Sequence, residues 1–393
     1  MYYFRKDLKN KTAVKVEVPH KKIMMCLNES PFDPLKPIRK KFLKKMKTVH
    51  LNRYFNKVTG ELATALAEYT GVTEDMLAFG NGADEMLYYL FTAIKENNDS
   101  YIASLAPSYF DYKSYSAAVG LNIKFLSLDK NFDFDTDKFL ELAAQDDCKM
   151  LIICNPNNPT GNLFDAKKIE YIIRNTDKPV LLDEVYYEFS QKTFVKKLKQ
   201  YTNLIILRSF SKSFSAAGLR FGYILSNPQN IIEIKKVITA FNLNLMTQTF
   251  ALTMLENKKH FLKIVKKIKK YKKKMYRKLR KLPGITVKNT DTNFLIFKYR
   301  ENSKPLFQYL QKKDIAIRAV WNHIVLSNYL RVTISSKEDN KLSLRYTGLL
   351  YDEIKASVCS NTGIHDGEDV IKMLMAGADC VQIVSTLYIN DTD

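Results

Sequence analysis

From about residue 61 to 230 the chain alternates short apolar runs with longer amphipathic ones, a pattern that few folds accept. The short apolar runs at 101–105, 123–128, 150–154, 180–182, 204–207 and 221–225 read as strands. Patterns of helical period at 84–95, 136–144 and 166–175 lie between several of them. Strand–helix alternation of this kind predicts an α/β domain with a mostly parallel sheet. Such a sheet takes its ligands beyond the carboxyl ends of its strands, so the loops after these runs are where chemistry belongs. Further on, the runs at 293–298, 316–319 and 329–335 predict a smaller α+β lobe. The divisions expected are an arm at 1–25, a large domain at 26–255, a long basic helix with the small lobe at 256–341, and a separate segment at 342–393.

Charge and cysteine content narrow the class. The formal net charge is +21, but residues 257–281 carry fourteen lysines and arginines and no acid. Within that stretch Phe261, Ile264, Val265, Ile268, Tyr271, Met275, Leu279 and Leu282 recur at helical spacing, which predicts an amphipathic helix with one solvated cationic face. That bland account is preferred to a nucleic-acid or membrane surface, so no nucleic acid and no membrane is expected as a partner. No apolar run approaches the roughly 18 residues of a membrane span, and the first residues do not have the form of an export signal. The five cysteines form no Cys-x-x-Cys pair, which points to free thiols in a cytoplasmic setting and to no metal site.

Three loop sequences carry chemistry. The strand at 204–207 leads into Leu207-Arg-Ser-Phe-Ser-Lys-Ser-Phe-Ser-Ala-Ala-Gly-Leu-Arg-Phe-Gly-Tyr223, a lysine among hydroxyl residues followed eight positions later by arginine. An amine can condense with an aldehyde, hydroxyls and a guanidinium can clamp a phosphate, and glycine lets the backbone come close. The strands before it end in Asn155-Pro-Asn-Asn-Pro-Thr-Gly161 and Asp183-Glu-Val-Tyr186. Alone, the first is ordinary turn chemistry and Asp183 could simply cap a helix.

Taken together, these three elements resemble the fold-type I aminotransferases that use pyridoxal phosphate (PLP). Leu27-Asn-Glu-Ser-Pro31, Leu51-Asn-Arg-Tyr54, Phe79-Gly-Asn-Gly-Ala-Asp-Glu85, Thr292-Asn-Phe-Leu295 and Tyr329-Leu-Arg-Val-Thr-Ile-Ser335 extend the resemblance to the histidinol-phosphate aminotransferase branch, over about 26–340. Two segments depart from that branch: no Pro-Tyr element precedes Leu27, and Trp321-Asn-His-Ile-Val replaces a Pro-Leu-rich loop.

The resemblance implies a full set of roles. Lys212 forms the Schiff base and then moves the substrate proton, and Asp183 pairs with the ring nitrogen. Tyr186 and Asn158 bond the ring hydroxyl, and Tyr109 stacks on the ring or is an ordinary core tyrosine. Ser209, Ser211, Arg220 and the backbone N–H groups of Ala83 and Asp84 receive the phosphate at a helix N-terminus. Tyr54 reaches the phosphate of a second subunit, which implies a homodimer. Arg331 grips the substrate carboxylate, Asn28 lies in the substrate pocket, and Arg318 either takes a second substrate anion or is a surface strand residue. The implied reaction moves an amino group between an amino acid or amino-alcohol phosphate, histidinol phosphate first among them, and a 2-oxo acid. Threonine-phosphate decarboxylases and aromatic or broad-range aminotransferases share nearly all these motifs.

Beyond residue 341 the chain reads differently. Residues 342–393 resemble the last strand–helix–strand portion of dihydroorotate dehydrogenases, with Thr362-Gly363 and Ser385-Thr386 at its flavin phosphate loops. A barrel cannot close from such a fragment, so the segment is expected either as a passenger or as a substitute for a missing last helix. A flavin-dependent oxidoreductase or a catalytically impaired fusion is the alternative from a different class.

Overall fold

Two principal sheets are built from the apolar runs, and the central strands of the larger one are buried on both faces. The structure is a computed structural model and describes residues 3–9, 21, 23–54, 57–334, 359–361 and 380–382. In chain order the strands are β1 (Ile23–Met24), β2 (Leu77–Gly80), β3 (Tyr101–Ala106), β4 (Asn122–Ser127), β5 (Cys148–Cys154), β6 (Val180–Asp183) and β7 (Leu204–Ser209). They continue as β8 (Gly222–Ser226), β9 (Ile285–Lys288), β10 (Phe294–Tyr299), β11 (Ile315–Ala316), β12 (Arg318–Ala319) and β13 (Leu330–Thr333).

The large sheet has seven strands in the order β2-β8-β7-β6-β5-β3-β4. Only β8 runs against its neighbours; all other pairings are parallel except those it makes with β7 and β2. Its central strands are buried almost without a break, as expected of strands covered on both faces. Alternation then divides their side chains between two cores. Leu151, Ile153, Leu182 and Ile206 pack with Ile169 and Ile172 of the helix Ala166–Arg174 on one face. Met150, Ile152, Leu181 and Ile205 pack with Met86, Leu90 and Phe91 of the helix Ala83–Ile94 on the other. Each such side chain contributes roughly 1.5–3 kcal/mol by leaving water.

The chain leaves β3 outward to β4, and returns to β5 on the other side of β3 before proceeding to β6 and β7. The connections therefore diverge between β3 and β5, which opens a crevice at the carboxyl ends of the strands.

The small lobe carries the antiparallel order β12-β13-β10-β9, and β1 from the N-terminal segment pairs in parallel with β11. The helix Lys258–Leu279 joins the two lobes. Its first half buries Phe261, Ile264, Val265 and Ile268 in the large core, and its second half sets Met275, Tyr276 and Leu279 against Leu295, Phe297 and Leu330 of the small one.

The mostly parallel α/β sheet and the smaller lobe agree with the sequence, with two corrections. The run at 316–319 is not one strand: Ile315–Ala316 pairs with β1, whereas Arg318–Ala319 turns to pair with β13. Strands β1, β2 and β9 escaped the pattern, because runs of two to four residues next to turns are too short to be told from loops. No helix among the described residues is long and apolar enough to cross a membrane. The barrel fragment expected at 342–393 lies outside the described residues, apart from Cys359–Asn361 and Cys380–Gln382, which pair as parallel strands. Most of the expected arm at 1–25 also lies outside them.

Candidate active site

Four strand ends meet at the crevice. The end of β6 presents Asp183, which is buried; Tyr112 Oη donates to its Oδ2 at 2.6 Å and the Val185 N–H donates to its Oδ1 at 3.1 Å. Burial raises this carboxyl from its ordinary value to about 6, against the opposing pull of those two bonds. No cation among the described residues pairs with it. Tyr112 belongs to the helix Asp111–Val119 after β3, and its ring meets that of Tyr109 edge to face at 5.3 Å.

The end of β7 delivers the lysine. Ser209 caps the short helix Phe210–Ser213: its Oγ accepts from the Ser211 N–H at 3.1 Å and lies 2.9 Å from Ser211 Oγ. Lys212 is thereby turned toward the crevice, where its Nζ donates to the Leu27 carbonyl at 3.0 Å. Burial, helped by the charge of Arg331, lowers its amine to about 8. A lysine in this state keeps a usable fraction of neutral amine near neutrality, as a nucleophile requires.

Close backbone approach makes an anion cradle. The helix Ala83–Ile94 begins at Gly82, whose φ of +93° suits glycine. A Cβ on Gly222 would come within 2.2 Å of the Ala83 backbone nitrogen, and one on Gly82 within 2.5 Å of Arg220 Nη2. Arg220 holds a left-handed φ of +57° and donates to Asp84 Oδ2 at 2.6 Å; Asp84 Oδ1 accepts from Tyr109 Oη at 3.2 Å. Ser209, Ser211, Arg220 and the first-turn N–H groups of Ala83 and Asp84 thus share one side of the crevice. Helix N-termini of this kind attract anions.

The small lobe closes the other side. Arg331 on β13 donates through Nη1 to Asn158 Oδ1 at 2.6 Å and through Nη2 to the Cys26 carbonyl at 2.8 Å, while its Nε is buried without a partner. Burial pulls this guanidinium down to about 10. Arg318 stands directly opposite Arg331 across the β12–β13 pair, but its side chain is exposed, 5.9 Å from the ring of Phe110. Asn28, at a φ of +55°, donates to Tyr186 Oη at 2.8 Å, and its carbonyl accepts from Asn293 at 2.9 Å. Burial pushes the Tyr186 phenol up.

Of the residues singled out from sequence, all but two converge here. Tyr54 is 78% exposed and stacks on Phe241 at 4.9 Å, outside the crevice of its own chain. Arg318 sits at the rim. Sequence reasoning missed Tyr112, whose only signal was its place one helical turn after Tyr109. It also missed the ion pair beneath the site: Glu184 follows Asp183, Arg208 precedes Ser209, and the two are joined at 2.8 Å with side chains 1% and 3% exposed. Among the described residues, no group of three or more His, Cys, Asp and Glu is placed to hold a metal ion.

The residues present fit pyridoxal phosphate. Asp183 is a buried acid lacking a cation, Lys212 an amine with a depressed pKa, and the glycine-lined helix start a phosphate cradle. Fold and site therefore define a PLP enzyme of fold type I. The comparisons agree. The sequence pattern described as "Aminotransferase class I and II" matches residues 20–344, and the chain belongs to that family. A curated relative, the histidinol-phosphate aminotransferase of Clostridium novyi (strain NT), is 32% identical over 337 residues, covering 86% of this chain and 94% of the relative. Among solved structures, the histidinol-phosphate aminotransferase of Clostridium acetobutylicum superposes with a TM-score of 0.73 at 26% identity, over 81% of this chain and 96% of the other. That of Sinorhizobium meliloti in complex with pyridoxal-5'-phosphate gives 0.78 at 19% identity, over 87% and 95%, and shares the fold.

Proposed function

We propose that this PLP-dependent aminotransferase moves the amino group between histidinol phosphate and a 2-oxo acid, and does so as a cytoplasmic homodimer. The observation that carries the substrate is the 32% identity, over 86% of the chain, to a relative of that name. Support for the reaction comes from the site.

When bound, the cofactor supplies an aldehyde that condenses with amines and a ring that accepts electrons from the substrate carbon. Asp183, held in place by Tyr112 and the Val185 N–H, would supply the negative charge that the ring nitrogen needs. Lys212 Nζ would be the amine that holds the cofactor's aldehyde. The same Nζ, once free, would take the α-proton and return it, a task that suits an amine lowered to about 8. Arg331 offers its fork to the anionic end of a substrate, and Arg318, opposite it at the rim, offers a second cation. A donor carrying phosphate and an acceptor carrying two carboxylates both suit this pair. Leu27 and Asn28 lie against the site, bonded to Lys212 and to Tyr186. The exposed rings of Tyr54 and Phe241, with exposed Leu51 nearby in sequence, support burial against a second copy.

Histidinol phosphate added to the cofactor-loaded protein should bleach the visible band, and a 2-oxo acid should restore it. Bleaching by threonine phosphate with release of carbon dioxide, and none by histidinol phosphate, would make the protein a decarboxylase instead. Light scattering that finds a monomer would remove the homodimer.

A further inference from the structure

The cationic face of the long helix is not uniform. Its carboxyl-terminal half borders an open cleft of about 760 Å³. Lys269, Lys270, Lys273 and Arg277 line it from the helix, and Arg280 and Lys281 from the turn that follows. Among the described residues, Asp291 is the only acid in the lining, and none of those six cations forms an ion pair. Like charges one turn apart repel, so this row raises the energy of the helix unless an anion sits beside it.

The floor of the cleft is built rather than merely charged. Lys272 points inward, is buried, and donates to the carbonyls of Thr290 and Thr292, the second at 2.7 Å. That clamps the strap carrying Asn289, Thr290 and Asp291. The strap touches the catalytic crevice, because the Asp291 N–H donates to the Gly161 carbonyl at 2.7 Å, at the end of the loop that carries Asn158.

We infer that this cleft is a binding site for an oligophosphate, a chain of linked phosphates either free or carried on a nucleotide. The spacing selects the ligand. Lys269 to Arg277 spans about 12 Å of helix at about 1.5 Å per residue, too long for one phosphate to bridge and suited to several in line. The cleft volume lies in the range that holds a small molecule. Single-stranded RNA is the poorer occupant, since base stacking needs exposed rings, and the lining rings are the half-buried Tyr276 and the buried Phe189. The strap gives an occupant a mechanical route to Gly161.

The test uses full-length, cofactor-saturated protein, so that the phosphate cradle of the active site is filled. Titration with tripolyphosphate, ATP and a short RNA is followed by calorimetry at matched ionic strength. The variant Lys269→Ala/Lys273→Ala/Arg277→Ala should weaken tripolyphosphate by at least about tenfold. The control Lys259→Ala/Lys263→Ala/Lys266→Ala loses the same charge from exposed positions outside the cleft and should bind as the parent does. Equal affinity for tripolyphosphate and ATP would assign recognition to the phosphates alone, and tighter ATP would add the nucleoside; either supports the site. The inference is overturned if both triple variants weaken binding equally, if binding survives the cleft substitutions, or if only RNA binds.

Discussion

Replacing Arg208 by Met removes one half of the ion pair buried beneath the site. Arg208 donates to Glu184 Oε2 through Nε at 3.1 Å and Nη2 at 2.8 Å, donates to Thr193 Oγ1 at 2.7 Å, and lies 3.7 Å over the ring of Tyr187. Without it Glu184 is a carboxylate stranded in the core, a change that costs about 3–5 kcal/mol. The lower end applies, because Glu184 keeps the Phe194 N–H at 2.9 Å and the Thr193 hydroxyl at 2.8 Å. Urea unfolding followed by far-ultraviolet circular dichroism should therefore show Arg208→Met less stable by about 3 kcal/mol. Because Arg208 and Glu184 adjoin Ser209 and Asp183, cofactor affinity should fall as well. The double variant Glu184→Gln/Arg208→Met removes the stranded charge and should recover most of the loss. A single variant within about 1 kcal/mol of the parent, or a double variant no better than the single, would refute the reasoning.

Three more expectations follow from the same geometry. The rate at which cofactor-free protein takes up pyridoxal phosphate should climb with pH and level off above about 8, the value to which burial lowers Lys212. The sign follows from the neutral amine being the reactive form, and stopped-flow absorbance between about pH 6 and 10 checks it, a flat profile counting against it. Gly222→Ala places a Cβ 2.2 Å from the Ala83 nitrogen, so the cradle must widen, and equilibrium dialysis should show cofactor affinity down by more than about tenfold. Arg331→Lys keeps the charge but not the fork; steady-state kinetics should show a higher KM for the 2-oxo acid, with the cofactor spectrum unchanged.

How legible these features were in sequence depended on where each drew its signal. Lys212, Asp183, Asn158 and Arg220 were visible because the turns after β5, β6 and β7 have distinctive sequences, and the crevice brings those turns together. The Glu184–Arg208 pair was invisible, since its members lie 24 positions apart and nothing local marks either as buried. Lys272 was hidden by its neighbours. Composition shows a lysine-rich helix, but only packing shows which lysine turns inward to hold Thr290. Tyr54 was legible as a motif residue, whereas its exposure beside Phe241 depends on a distant loop.

Borohydride reduction of the loaded protein followed by peptide mass spectrometry decides whether Lys212 carries the cofactor. A single phosphopyridoxyl adduct is expected, on the peptide that contains Lys212. An adduct on another lysine, or none on a protein that still turns over, would contradict it.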